Sequence, residues 1–201
     1  MPAKTPVPVT LTGRHIRLEP LTLAHVPDLF AAGGGDDEVW RWLPADTPRT
    51  EDELAAIAAG LLANSPQQLA FAVIDLGTGR PVGWTTYHEI DTRDERLEIG
   101  WTWYGRSVWR TAVNTEAKLL LLTHAFEELG MGRVQWRTDV LNQRSRNAIA
   151  RLGAQFESIH RRVRLRSDGT WRDNVYYSML ADEWPPARDR LTARLDEGRP
   201  R

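Results

Sequence analysis

The segment from Trp109 to Phe126, WRTAVNTEAKLLLLTHAF, sets a tight turn directly before an apolar-periodic helix, and it follows RLEIGWTWY, a strand-like run ending at Tyr104. Strand, turn and helix N-terminus in that order leave several backbone N–H groups without intrahelical partners, and such a terminus draws phosphate or carboxylate oxygens. The chain contains neither G-x-G-x-x-G nor G-x-x-x-x-G-K-S/T, so a pyrophosphate held here rests in another kind of loop. The cations point the same way. All but Lys4 and Lys118 are arginine, and they gather after residue 130 in NQRSRNAIAR and HRRVRLRSDGTWR. A planar guanidinium suits phosphate oxygens, which makes a phosphate-bearing cofactor a candidate ligand; the alternative for any one arginine is a solvated, salt-bridged face.

The helix that must carry this terminus is read from spacing. Ala117, Leu120, Leu121, His124 and Ala125 recur at three- and four-residue intervals, and Leu119, Leu122 and Phe126 widen the apolar face. This predicts a helix over 115–129, buried on most sides, with Thr115 as N-cap, Glu116 as first-turn charge and Gly130 at its end. Upstream, LTGRHIRLEPL reads as a strand, 22–33 as a short helix capped by Thr22, EVWRWLP as a helical turn, and TPRTEDELAAIAAGLLAN as a helix opening at Thr50. QLAFAVIDLGTGRPVGWTTYHEI is a hairpin about a Gly-Thr-Gly turn. Downstream come the strand MGRVQWRTDVLN, the helix RSRNAIARLG, two strands about a Ser-Asp-Gly turn, and a loose helix and tail in PPARDRLTARLDEGRPR. The order predicts one α/β (α+β) domain over 10–184, a mixed, mostly antiparallel central sheet with flanking helices, between tails at 1–9 and 185–201.

Composition removes other classes. With 201 residues, 41% of them hydrophobic, the chain is long enough for one substantial core. It has no cysteine, which excludes disulfides, thiolate metal sites and a cysteine nucleophile. No apolar run approaches the roughly eighteen residues of a membrane span, and MPAKTPVPVT lacks a signal-peptide core, so no membrane partner and a cytoplasmic location are expected. A formal net charge of −1 argues against nucleic acid as the main partner. No histidine and carboxylate grouping has metal-ligand spacing, so no metal is expected.

Two segments carry a resemblance. SVWRTAVNTEAK is similar to a run in which tryptophan precedes two spaced glycines, alanine and TEA; Trp109, Thr115, Glu116 and Ala117 agree, whereas Arg110 and Ala112 stand where the glycines are common. NQRSRNAIARLGAQFES matches a second run through Asn142 and Ser145. On these segments the chain resembles the GCN5-related N-acetyltransferase (GNAT) superfamily, closest to its ribosomal-protein N-terminal (RimJ/RimL-like) branch. The resemblance implies a single-domain GNAT fold with a V-shaped splay between strands 4 and 5, acetyl coenzyme A bound in the splay, and a homodimer. It also implies direct attack of a primary amine, on a small molecule or a peptide N-terminus, at the thioester carbonyl.

That chemistry needs a base, a donor to the carbonyl oxygen and a proton source for sulfur. Glu98 is the only carboxylate in RLEIGWTWY; strict alternation sets it with Gly100 and Thr102 on one face and Leu97, Ile99 and Trp101 on the other. It is either the base or a structural partner of an arginine. Ser145 is either the proton donor to the thiolate or a local helix cap, Tyr177 is a phenol on a late strand that approaches the sulfur, and Asn142 either holds pantetheine or caps the helix. The pyrophosphate cradle falls on Trp109, Arg110, Thr111, Ala112, Val113, Asn114 and Thr115, with Arg144 reaching the 3′-phosphate or lying on the surface. Backbone near Trp101 and Trp103 faces the carbonyl, where family strands are distorted. Trp40, Trp84 and His88 are expected to line the acceptor pocket. Two alternatives keep the fold: a longer donor such as succinyl coenzyme A read by an arginine, and a non-catalytic coenzyme A sensor.

Overall fold

Apolar alternation in the N-terminal strands sorts two cores. In β2 (Ile16–Pro20) Ile16 and Leu18, and in β3 (Leu69–Asp75) Leu69, Phe71 and Val73, join one core, while Ala70, Ala72 and Ile74 of β3 join the other. Period-two alternation with both faces apolar means that helices cover both sides of the sheet. In the computed structural model, which describes residues 2–166 and 169–197, helices α1 (Val26–Gly33), α2 (Asp37–Trp40) and α3 (Glu51–Ala63) close one core. Helices α4 (Val113–Thr123), α5 (Gln143–Leu152) and α6 (Trp184–Asp196) contribute to the other.

The sheet also contains β1 (Leu11–Thr12), β4 (Arg80–Asp91), β5 (Arg96–Tyr104), β6 (Arg133–Asp139), β7 (Gln155–Leu165) and β8 (Trp171–Leu180), in the order β1-β2-β3-β4-β5-β6-β8-β7. Every neighbouring pair is antiparallel except β5 and β6, which run parallel and pair only from Arg96↔Arg133 to Glu98↔Gln135. Beyond Glu98 the two strands part. This is the expected mixed, mostly antiparallel sheet with its splay; the parting strands are fifth and sixth here because Leu11–Thr12 forms a short strand of its own. Among the described residues no helix is long and apolar enough to cross a membrane.

Two local expectations are corrected. First, α4 begins at Val113 with Ala112 as N-cap, so Thr115 lies inside the first turn, and after Thr123 the helix runs on as a π-turn over His124–Glu128. There Tyr87 Oη donates to the Leu121 carbonyl at 2.5 Å and lies 3.3 Å from His124 Nδ1. Second, much of the segment expected as a C-terminal tail is α6, whose Trp184, Ala187 and Leu191 are buried. Its two prolines sit at the helix start, where the missing N–H costs nothing. The N-terminal stretch lies along the fold, with Lys4 N–H donating to the Leu129 carbonyl. Ser167 and Asp168 of the expected closing turn lie outside the described residues.

Glu116, the expected first-turn charge of α4, is buried. Its carboxylate accepts the N–H groups of Arg14 (2.7 Å), His15 (2.7 Å) and Ile16 (2.8 Å), and so ties the β1–β2 turn to the start of α4. Gly13 makes room for it: a Cβ there would stand 2.4 Å from the Glu116 carboxyl carbon. Charge-assisted bonds to a buried carboxylate contribute about 1.5–3 kcal/mol each, and an amide nitrogen facing N–H donors leaves them unsatisfied. Glu116→Gln should therefore lower unfolding free energy in urea by about 2–4 kcal/mol, and Gly13→Ala by about 1–3 kcal/mol through overpacking; unchanged midpoints would contradict this anchor.

Candidate active site

Where β5 and β6 part, a cavity of about 900 Å³ opens, walled by β5, β6, the start of α4 and one side of α5. Its shape depends on a bulge. Gly100 pairs with Thr86 and Trp103 with Trp84, so Trp101 and Thr102 together oppose the single residue Thr85, and Trp101 takes φ +50°. The extra residue inverts the alternation expected for β5. Leu97 and Ile99 face α4, but Trp101 and Trp103 turn to the core under α1–α3, and Thr102 turns to α4, where it meets Lys118. Trp101 and Thr102 have no partner residue on β4 and lie beyond the last pair with β6.

One end of the cavity is the turn before α4. Arg110 takes φ +61°, the left-handed conformation that glycine adopts without cost, which accounts for the glycine common at this point of similar sequences. Thr111 Oγ1 donates to the Val108 carbonyl and accepts Val113 N–H at 3.3 Å, and Glu116 is the first residue to donate back along the helix, to Ala112. The amides of Asn114 and Thr115 precede that first bond and have no carbonyl within the helix. Trp109, anchored through Nε1 to the Tyr104 carbonyl at 2.7 Å, has the Arg144 guanidinium 3.9 Å from its ring centre. Trp109, Arg110, Thr111, Asn114, Thr115 and Arg144 all line the cavity. Ala112 and Val113 do not; Val113 is in the core and its amide is already bonded.

At the other end, cross-strand pairing sets His88 opposite Glu98. Glu98, 1% exposed, accepts Gln135 Nε2 at 3.0 Å and lies 3.2 Å from Arg137 Nε and 3.3 Å from His88 Nε2. The last approach is an ion-pair distance without hydrogen-bond geometry, for His88 Nε2 is buried with no hydrogen-bond partner. A Cβ at Gly100 would stand 2.4 Å from that nitrogen, so glycine is what lets the imidazole lie across β5. His88, Glu89 and Glu98 gather within 4.8 Å, a grouping that sequence spacing did not reveal, yet Arg137 lies on both carboxylates and supplies the positive charge there.

The remaining expected residues divide. Asn142 caps α5 by accepting Ser145 N–H at 3.1 Å, and it and Ser145 line the cavity. Tyr177 does not line it: β8 alternation turns the ring into the core against Phe156, and its hydroxyl meets Arg146 Nε at 3.4 Å. Trp40 and Trp84 are core as well, packed edge to face at 5.8 Å and both against Trp103. Trp42, read from sequence with the other tryptophans as shaping the acceptor pocket, does line the cavity, and so do Arg137, Arg172 and Lys118, which were not singled out as site residues from sequence. For Lys118 there was a signal, a lysine among the apolar positions of a helix expected to be buried. It lies under the bulge, 3.1 Å from Thr102 Oγ1 and 3.4 Å from Thr85 Oγ1, and burial pushes its ammonium down to about 7.

Residues 15–155 match the Acetyltransferase (GNAT) domain family. A GCN5-related N-acetyltransferase structure from Brucella melitensis superposes with a TM-score of 0.91 at 33% identity, over 96% of this chain and 88% of that one. The Bacillus subtilis protein named "Putative ribosomal N-acetyltransferase YdaF" is 35% identical over 106 residues, 53% of this chain; the match spans 57% of that relative's length. FsC-acetyl coenzyme A-N(2)-transacetylase of Aspergillus fumigatus is 27% identical over 178 residues, 84% of this chain and 75% of that one.

Lys118 makes stability depend on pH in a defined direction. With its folded value near 7 and its unfolded value near the usual ~10.4, the unfolded state binds the extra proton between these limits, so stability rises with pH across that window. Below pH 7 the cost of the buried charge is fully present. Lys118→Met should therefore be more stable than the parent at pH 6, by roughly 2–5 kcal/mol, with the difference shrinking toward pH 10. A difference independent of pH in urea titrations at both values would contradict the assignment.

Proposed function

The chain belongs to the GNAT acetyltransferase family, and we propose that it transfers the acetyl group of acetyl coenzyme A to a primary amine by direct attack, as a member of the ribosomal-protein N-terminal branch. One observation carries the reading: a single cavity joins the unpaired amides at the start of α4, the bulge at Trp101 and Thr102, and the buried pair Glu98 and His88. Four of the six buried side-chain polar atoms without a partner among the described residues belong to residues lining it, namely His88, Trp103, Tyr104 and Trp136. The likeness to YdaF supports a ribosomal protein N-terminus as acceptor, and the likeness to the Aspergillus enzyme supports acetyl coenzyme A as donor.

Acetyl coenzyme A supplies an acetyl group activated as a thioester. Its phosphates suit the amides of Asn114 and Thr115 and the guanidiniums of Arg110 and Arg144. Amides in the Trp101 bulge donate to the carbonyl oxygen, where charge develops during attack. Glu98, with His88 beside it, receives the proton that the amine gives up, and the Ser145 hydroxyl protonates the departing sulfur.

Thiol release from acetyl coenzyme A against a panel of amines and short peptides should show turnover with at least one acceptor. Glu98→Gln should lower kcat about 10²- to 10⁴-fold with coenzyme affinity retained, and Ser145→Ala should lower it less. Parental kcat in Glu98→Gln would remove the base assignment, and tight coenzyme binding without release on any acceptor would favour the sensor reading.

A further inference from the structure

Two charge clusters near the acceptor end of the cavity are out of balance in opposite senses. On β6, Arg137 is shared by two carboxylates, at 2.6 Å from Glu89 and 3.2 Å from Glu98. Two residues along the same strand, about 7 Å away, Asp139 is shared by two guanidiniums, at 2.5 Å from Arg166 and 3.9 Å from Arg172. Glu98 and Asp139 are each 1% exposed, so water screens neither imbalance well.

The surplus guanidinium that reaches the cavity is Arg172; Arg166 is not part of the wall. It is held in place through Nε to Asn174 Oδ1 at 2.8 Å and through Nη1 to the Trp42 carbonyl at 3.1 Å, and among the described residues Nη2 has no acceptor. Among the described residues, the charges that act on it most are those of Asp139, Arg164, Arg166 and Arg137, one anion and three cations. Burial first, and then these arginine neighbours, disfavour its charge, so an incoming oxyanion is stabilised there. Beside Glu98 and His88 the opposite holds, and an incoming ammonium is stabilised. A fixed, partly satisfied guanidinium with a free edge is a bidentate carboxylate seat.

We infer that the acceptor is a free amino acid, an amine that also carries a carboxylate, with its nitrogen at Glu98 and His88 and its carboxylate on Arg172. The inference rests on the acetyl-transfer reading and sets a free amino acid in place of a ribosomal protein N-terminus as the acceptor. It selects among primary amines, because a peptide N-terminus presents an amide where the free acid presents an anion.

The test compares matched pairs, glycine, 4-aminobutyrate and phenylalanine against their carboxamides, by thiol release from acetyl coenzyme A and by calorimetric binding to the coenzyme A-saturated protein. At least one acid should exceed its amide about tenfold or more in kcat/KM and in affinity, and Arg172→Gln should collapse that ratio toward one, as should the shape-conserving Arg172→Met. Equal use of acids and amides, binding of neither, or a ratio untouched in both variants overturns the carboxylate seat while leaving acetyl transfer standing. Weaker coenzyme binding in both variants with the ratio unchanged also overturns it, since Arg172 would then hold the donor. Tighter binding of an acid with no release on any acceptor overturns acetyl transfer and leaves the seat.

Discussion

Everything functional in this molecule follows from how briefly β5 and β6 touch. Parallel neighbours need a long crossover, and the crossover here is α4. Because their ladder stops at Glu98 and Gln135, the backbone beyond has no strand to bond, and the first turn of the crossover helix opens at the mouth of the same gap. A ligand with amides and phosphates can replace the missing ladder on one side and the missing helical carbonyls on the other. The splay is therefore a polar vacancy built by topology, with side chains added to select what fills it.

Selection is electrostatic and unevenly distributed. The turn end presents backbone donors with Arg110 and Arg144, a field for phosphate. The far end is finer grained, with carboxylates and guanidiniums interleaved along β6 so that the sign of the local surplus changes within two residues. Between the two ends lies Lys118, a cation without a carboxylate partner among the described residues, held by threonine hydroxyls. Its ammonium is costly to bury, and its place under the bulge sets a positive potential beside the backbone proposed to meet the thioester oxygen.

Legibility in the sequence followed the range of the interactions. The strand, turn and helix around Trp109 were readable because spacing and turn residues are local, and the two quoted runs sufficed for the family. The bulge was not readable as a reversal of faces: Trp101-Thr102-Trp103 carries no glycine to mark it, and one extra residue exchanged the partners of Trp101 and Thr102. That His88 stands beside Glu98 depends on hairpin register, which composition does not encode. The tryptophans divided for a similar reason, since Trp40 and Trp84 found each other and Trp103 in the core, while Trp42 and Trp101 reached the cavity. The segment read as a loose helix and tail is α6 for most of its length, and prolines 185 and 186 fit in its first turn.

The carboxylate of Glu116 has a consequence for the order of assembly. It binds amides 100 to 102 residues earlier in the chain, and closing a loop of that length costs roughly 4 kcal/mol of chain entropy. During synthesis the first hairpin emerges long before its anchor exists. The β1–β2 turn thus docks late, after the crossover helix has formed, and the same event that completes the start of α4 also completes the N-terminal edge of the sheet. Through this one carboxylate the start of α4 and the N-terminal edge of the sheet are tied to each other.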